Sequence, residues 1–331
     1  QDGSTFSGAS HFGVARNGSL VFVPGSSSGT GNVFSLTWLD REGNEEALPA
    51  PPREYFTPRV SPDGTRVAVS LNAGSNTDVW VFELARETLT QLTFAEGFDG
   101  NPLWTPDSTR VAFSSSREGG GLYWKAADGT GQAERLLEGS GNILVPHAWS
   151  PDGRLVFEQD PGNVGVLTME GERTVEMLLN ADFSETVLAI SPDGRWLAYD
   201  SDETGETLIY VRPFPNINDG QWRVSPVFGV HPVWSPDGRE LFYVGTPGSL
   251  TSALVETDPT FSARTPESLF DLNAYAMFAN FRRQYDVTPD GTRIIVRKPG
   301  AVVQTSGEAT FLGMVVVENW FEELKERVPI P

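Results

Sequence analysis

The chain has 331 residues, with 44 acidic against 24 basic side chains and a formal net charge of −20, a balance that repels phosphate backbones and argues against nucleic acid as a partner. No apolar run approaches the ~18 residues of a membrane-spanning helix, which argues against membrane insertion. Cysteine is absent, which removes disulfides, thiolate metal sites and cysteine nucleophiles together, while 20 Phe and 9 Trp point to a packed globule.

Residues 1–10, QDGSTFSGAS, are polar and begin with Gln rather than Met, as expected where an export signal or other leader has been cut. From residue 11 onward one phrase keeps returning. ARNGSLVFV puts Asn17 and Gly18 in a turn, and SPDGTRVAVS, TPDSTRVAFS, SPDGRLVFE, SPDGRWLAY, SPDGRELFY and TPDGTRIIVR follow. Their aspartates are Asp63, Asp107, Asp152, Asp193, Asp237 and Asp290, spaced by 44, 45, 41, 44 and 53 residues. A period near 45 is the mark of a propeller or array.

Within each repeat an apolar strand such as NPLW or HPVW leads into the turn, where Pro presets φ, Asp bonds its own backbone and Gly supplies a positive φ. A second strand alternates with period two, as in RVAVS or RWLAY. The third is aromatic, as in DVWVFEL and GLYWKA, and the fourth is shorter and more polar, as in TLTQLTF. The expected fold is therefore all-β: a single domain over 1–331, a seven-bladed β-propeller of four-stranded antiparallel blades, with six or eight blades as alternatives. The repeats bound the blades at 11–52, 53–96, 97–140, 141–181, 182–227, 228–272 and 273–318. The last of these is a strand short, so residues 1–10 are expected to pair with 311–317 and close the ring. A short helix over 319–328 follows, with Asn319 and Glu322 as a capping box.

The phrase W/F-S-P-D-G-x-x-[IL]-A-[FY] resembles the PD40 repeat of TolB-like propellers. SPDGRWLAYDSDETGETLIYVRPFP, PVWSPDGRELFY and NWFEELKERVP are similar to propellers of Acidobacteria and related bacteria that follow a Ser/Thr kinase domain and a membrane span. That resemblance implies a periplasmic or extracellular binding module, monomeric, with a protein, peptide or small molecule as ligand.

Two catalytic motifs fail on context. GSSSG at 25–29 satisfies G-x-S-x-G in letters but follows a β-strand in a Ser/Gly loop, and the turn aspartates are accounted for by their Pro and Gly neighbours. The stretch four to nine residues before each turn Asp is different. It holds all three histidines, His11, His147 and His231, together with Glu54, Asp99, Asn101, Glu185, Arg282 and Arg283. In a propeller these positions surround one mouth of the central channel, so residues distant in the chain meet there. Imidazoles and carboxylates in such a ring leave a divalent metal open as the one cofactor to consider, and the Arg282–Arg283 pair suits a carboxylate. No catalytic constellation is evident. The expected role is non-catalytic binding, with a channel-mouth hydrolase or lyase using His147 and His231 with Asp99 or Glu185, or an assembly scaffold, as the alternatives.

Overall fold

The computed structural model describes residues 33–300, apart from 142, 160–161, 180–182, 247 and 278–281, together with the backbone of three short strands outside that range. The chain divides into two compact units, residues 32–300 and residues 1–31 with 301–331. In the smaller unit Phe12–Val14, Leu20–Phe22 and Val315–Val317 form a three-stranded antiparallel sheet, in that order. Strand 315–317 thus pairs with Leu20–Phe22. Residues 1–10, expected as its partner, lie outside the described residues, as do His11 and the expected helix 319–328.

The larger unit is a ring of six antiparallel sheets. Blade 1 comprises Tyr55–Val60, Arg66–Ala73, Asn76–Glu83 and Thr88–Gln91. Blade 2 comprises Asp99–Trp104, Arg110–Ser115, Gly121–Ala126 and Glu134–Glu138. Blade 3 runs Leu144–Trp149, Leu155–Gln159, Asn163–Leu167 and Val175–Leu179. Blade 4 runs Glu185–Ile190, Trp196–Ser201, Leu208–Pro213 and Trp222–Arg223. Blade 5 has Gly229–Trp234, Glu240–Gly245 and Ser249–Glu256, the last pairing with both Ser262–Ala263 and Glu267–Asp271.

Blade 6 corrects the count of seven. Its inner strands, Asp286–Val287 and Arg293–Pro299, come from the last repeat, and its outer strands, Phe34–Asp40 and Glu45–Ala47, come from the first. Arg293 faces Asp40 and Pro299 faces Phe34, with the register unbroken between them. The first repeat is therefore divided between the two units. The repeat period specifies which residues are strands, but a second strand offers the same free edge to any third strand, so it cannot specify which copy pairs with which.

The turn phrase behaves as its composition dictates. In the first, Asp63 Oδ1 accepts bonds from Ser61 Oγ (2.5 Å) and Thr65 N–H (3.0 Å), and Gly64 has φ +70°. The turns also touch around the ring. A Cβ on Gly194 would stand 2.7 Å from Pro151 Cδ, and Gly238, Gly291 and Gly64 face Pro192, Pro236 and Pro289 in the same way. The last pair joins blade 6 to blade 1. Between blades, Trp104 and Trp234 are buried and donate their indole N–H groups to Arg59 O (3.0 Å) and Ala189 O (3.1 Å) of the preceding blade. Among the described residues no helix is long and apolar enough to cross a membrane.

The closing pairing is open to a direct test in a chain without cysteine. Ser35 and Lys298 are opposite one another across it, at a separation that suits a disulfide. Ser35→Cys with Lys298→Cys is expected to give a faster-migrating band on a non-reducing gel and a higher thermal midpoint, because the bond closes a loop of roughly 260 residues. Native protein that stays reduced would place the strand elsewhere.

Candidate functional site at one channel mouth

Away from the turns, each innermost strand of blades 1 to 5 slips register. The shifts fall between Phe56 and Arg59, Gly100 and Leu103, Pro146 and Ala148, Thr186 and Ala189, and Val230 and Val233. Such a bulge re-aims a side chain. Thr57, Asn101 and His231 accordingly sit at φ +46°, +54° and +61°. Opposite the five bulges, seven residues after the turn Asp (six in blade 3), stand Ser70, Ser114, Glu158, Asp200 and Val244, and Arg297 holds the equivalent position in blade 6.

These two rings bind one another within a blade and between blades. Thr57 and Ser70 hydroxyls are 2.9 Å apart, Asn101 Nδ2 donates to Ser114 Oγ (3.2 Å), and His147 Nε2 meets Glu158 Oε2 at 2.9 Å. Reaching the next blade, Ser70 Oγ accepts from Asn101 N–H (3.0 Å), Asp200 Oδ2 accepts from His231 N–H (2.9 Å), and Ser114 Oγ donates to Leu144 O (2.7 Å). Arg297, fully buried, closes the series by donating to Tyr55 O of blade 1 (2.6 Å) and to Gln284 Oε1 (2.5 Å).

Of the residues singled out by sequence, Arg282 and His147 converge. Arg282 Nη1 donates to Glu158 Oε1 (2.6 Å), joining the segment before blade 6 to blade 3, three blades away in either direction. Burial works to raise the Glu158 carboxyl, but the bonds from His147 and Arg282 hold it below the ordinary value. Burial also lowers His147, against the pull of Glu158, so the ring is neutral and its Nε2–H donates. Arg283 pairs with Asp286 (3.1 Å), whose other oxygen accepts Val60 N–H (2.9 Å). The rest go separate ways. Asp99 is buried against Arg117 within blade 2, and the His231 carbonyl accepts Tyr285 O–H (2.8 Å). Glu54, half-buried, contributes its carbonyl to Asn72 N–H. Glu185 is fully buried with no hydrogen bond to either oxygen.

The expected pairing of histidines with Asp99 or Glu185 is therefore replaced by His147 with Glu158. Among the described residues no three His, Asp or Glu side chains are placed to hold a metal ion. Glu158, Asp200 and Arg297 fell outside the window read from sequence. Their signal was present in another place: the second strands end their apolar runs on a polar residue, as in LVFE, WLAYD and IIVR.

Beside this network, over blades 1 to 3, opens a cavity of about 800 Å³. Ser70, Asn101 and Ser114 give it hydroxyl and amide groups, Arg282 and Gln284 bound one end, and the exposed Phe98 and Ile143 make an apolar rim. Polar groups fix a ligand's orientation in such a space and apolar walls supply contact area.

Glu185 gives the site a measurable pH signature. Burial pushes its carboxyl up to about 7, with Arg212 pulling down and Glu203 pushing up. Because the folded value lies above the unfolded one, the folded state takes up a proton; that stability is complete below the unfolded value and is lost as pH rises through about 7. Glu185→Gln is expected to match the parent near pH ~5 and to exceed it by about 2 kcal/mol near pH ~8 in urea unfolding. Parallel pH profiles for the two proteins would show the carboxyl to be solvated.

Known proteins share this architecture. The TolB β-propeller domain family, PD40, matches residues 36–211. The Tol-Pal system protein TolB of Helicobacter pylori is 33% identical over 153 residues, 42% of this chain and 35% of that protein. The uncharacterized peptidase YuxL of Bacillus subtilis is 28% identical over 194 residues, 44% of this chain and 29% of that protein. The aligned regions thus span about a third of these relatives. A TolB-like protein of Agrobacterium tumefaciens superposes with a TM-score of 0.64 at 18% identity, over 82% of this chain and 99% of that one, a likeness of fold. With more than half of its length matched by the family, the chain belongs to the PD40 group of TolB β-propellers.

Proposed function

We propose that the six-bladed unit is an extracytoplasmic, non-catalytic binding module that takes a segment of a partner protein, or a small ligand, in the cavity over blades 1 to 3. The observation that carries this reading is the cavity itself: about 800 Å³, with hydroxyl and amide groups and apolar side chains in its walls, Arg282 at one end, and exposed Phe98 and Ile143 at its rim. An extended peptide fits such a surface, its main chain meeting Asn101 and the serines and an apolar side chain meeting the rim. The family supports it, since the Helicobacter pylori relative is by name a Tol-Pal system protein. The position outside the cytoplasm rests on that kinship.

A catalytic reading finds less support. His147 and Glu158 are held with Arg282 and stand buried, and Asp99 is occupied by Arg117. An acid or base committed to a permanent cation is a poor proton shuttle, because its charged form is already satisfied.

Phage-displayed peptides selected on the purified chain test the reading. Binding is expected to fall at least tenfold with Phe98→Ser or with Asn101→Arg, which fills the cavity, and to persist with Met177→Ser on the outer strand of blade 3. Selected peptides that survive both cavity variants and lose binding with Met177→Ser would move function to the outer faces, the scaffold alternative.

A further inference from the structure

Where the segment before blade 6 meets blade 1, the described residues gather more arginine than carboxylates pair with. Arg59, on the innermost strand of blade 1, is 8% exposed. Its hydrogen bonds leave from Nη1 alone, to Pro58 O (2.8 Å) and Arg283 O (3.0 Å), and among the described residues no carboxylate pairs with it. Arg283 gives Nη2 to Asp286, while its Nε is buried without a hydrogen bond. Arg282 completes the set through Glu158.

The acids nearby are already shared. Glu158 serves both His147 and Arg282, and Asp286 serves Arg283 and Val60 N–H and acts on Arg59 only from beyond ion-pair distance. Asp200 gives one oxygen to the Thr186 hydroxyl and the other to His231 N–H and pairs with no arginine, and burial pushes it up to about 7; His147 is neutral. Three guanidiniums therefore face two firm carboxylates. Desolvating a charge without a counter-charge is costly, and a protein of net charge −20 has no shortage of acids that could have been placed there.

We propose that the channel carries an anion site formed by Arg59 and Arg283, and that its ligand is a monovalent carboxylate. The guanidinium fork matches a carboxylate in shape. The excess is near one unit of charge, and Glu158 and Asp286 flank the site, so a dianion such as phosphate is disfavoured. The carboxylate belongs either to a small free acid or to the C-terminus of a peptide. The site stands independently of the cavity proposed for binding, because Arg59 and Arg283 are not among its walls.

The test uses the whole chain and thermal midpoints at matched ionic strength in about 50 mM sodium chloride, acetate, phosphate or N-acetylleucine. A rise over chloride with acetate identifies a free acid, and one confined to N-acetylleucine identifies a peptide terminus. Either rise is expected to vanish with Arg59→Gln and to weaken about tenfold in apparent affinity with Arg283→Gln. It is expected to survive both Arg41→Gln on the surface and Phe98→Ser at the cavity rim. Arg283→Gln alone decides if Arg59→Gln does not fold. No rise over chloride, a rise with phosphate equal to that with acetate, or a rise undiminished in the arginine variants would overturn the proposal.

Discussion

Everything in the larger unit depends on one main-chain ladder, the pairing of Phe34–Asp40 with Arg293–Pro299. Each blade buries both faces against its neighbours, as Trp104 and Trp234 show with their bonds to the preceding blade. A ring left open would expose two such faces at once. Joining the beginning of the unit to its end in a single sheet removes them, and it makes the loss of either strand a loss of the whole circle. The charges at this seam are arranged accordingly: Lys298 reaches Glu45 and Arg293 reaches Glu46, across the same sheet.

Closure also explains why the polar ring is where it is. In five of six blades the apolar run of the second strand stops at a polar or charged residue that bonds a bulged innermost strand, in its own blade or in the next. The bulge frees the main-chain N–H of Asn101 and His231 to face the preceding blade, where Ser70 and Asp200 accept them. The channel mouth is thus first a cohesive device. Arg282 and Asn101, bonded within this network, also line the cavity beside it, whereas Asp99 and His231 do not.

The turns and the strand order within a blade were legible in the sequence, because each is a local consequence of Pro, Asp, Gly and period-two alternation. The number of blades was not. Seven copies of the phrase exist, but the pairing partner of FSLTWLD is decided by a contact more than 250 residues away, between identical strand chemistries. At the site, Asn101, His147 and Arg282 were found by their distance from the turn. Glu158 and Asp200 escaped because they sit on the far side of it, where the apolar alternation of a second strand gives way to polar residues. Spacing also placed Glu185 near the mouth, but nothing in its local sequence signals that its carboxyl is buried with no hydrogen bond to either oxygen.

The same geometry accounts for a protein that is strongly acidic yet holds arginine inside. Acidic residues on turns and outer strands cost little, since water solvates them, and several also accept from a neighbouring hydroxyl and backbone N–H, as Asp107 does from Thr105 and Thr109 and Asp237 from Ser235 and Arg239. Arginine inside the ring serves a different need. Its fork donates to carbonyls on two elements at once, so Arg297 fastens blade 6 to blade 1 and Arg59 fastens blade 1 to the segment before blade 6. Aromatic faces take the remaining surface of Arg297, with Phe34 at 4.7 Å and Phe56 at 5.2 Å. Among the described residues no aromatic ring stacks on the Arg59 guanidinium, and this difference between the two buried arginines is what places the proposed anion site in the channel rather than at the seam.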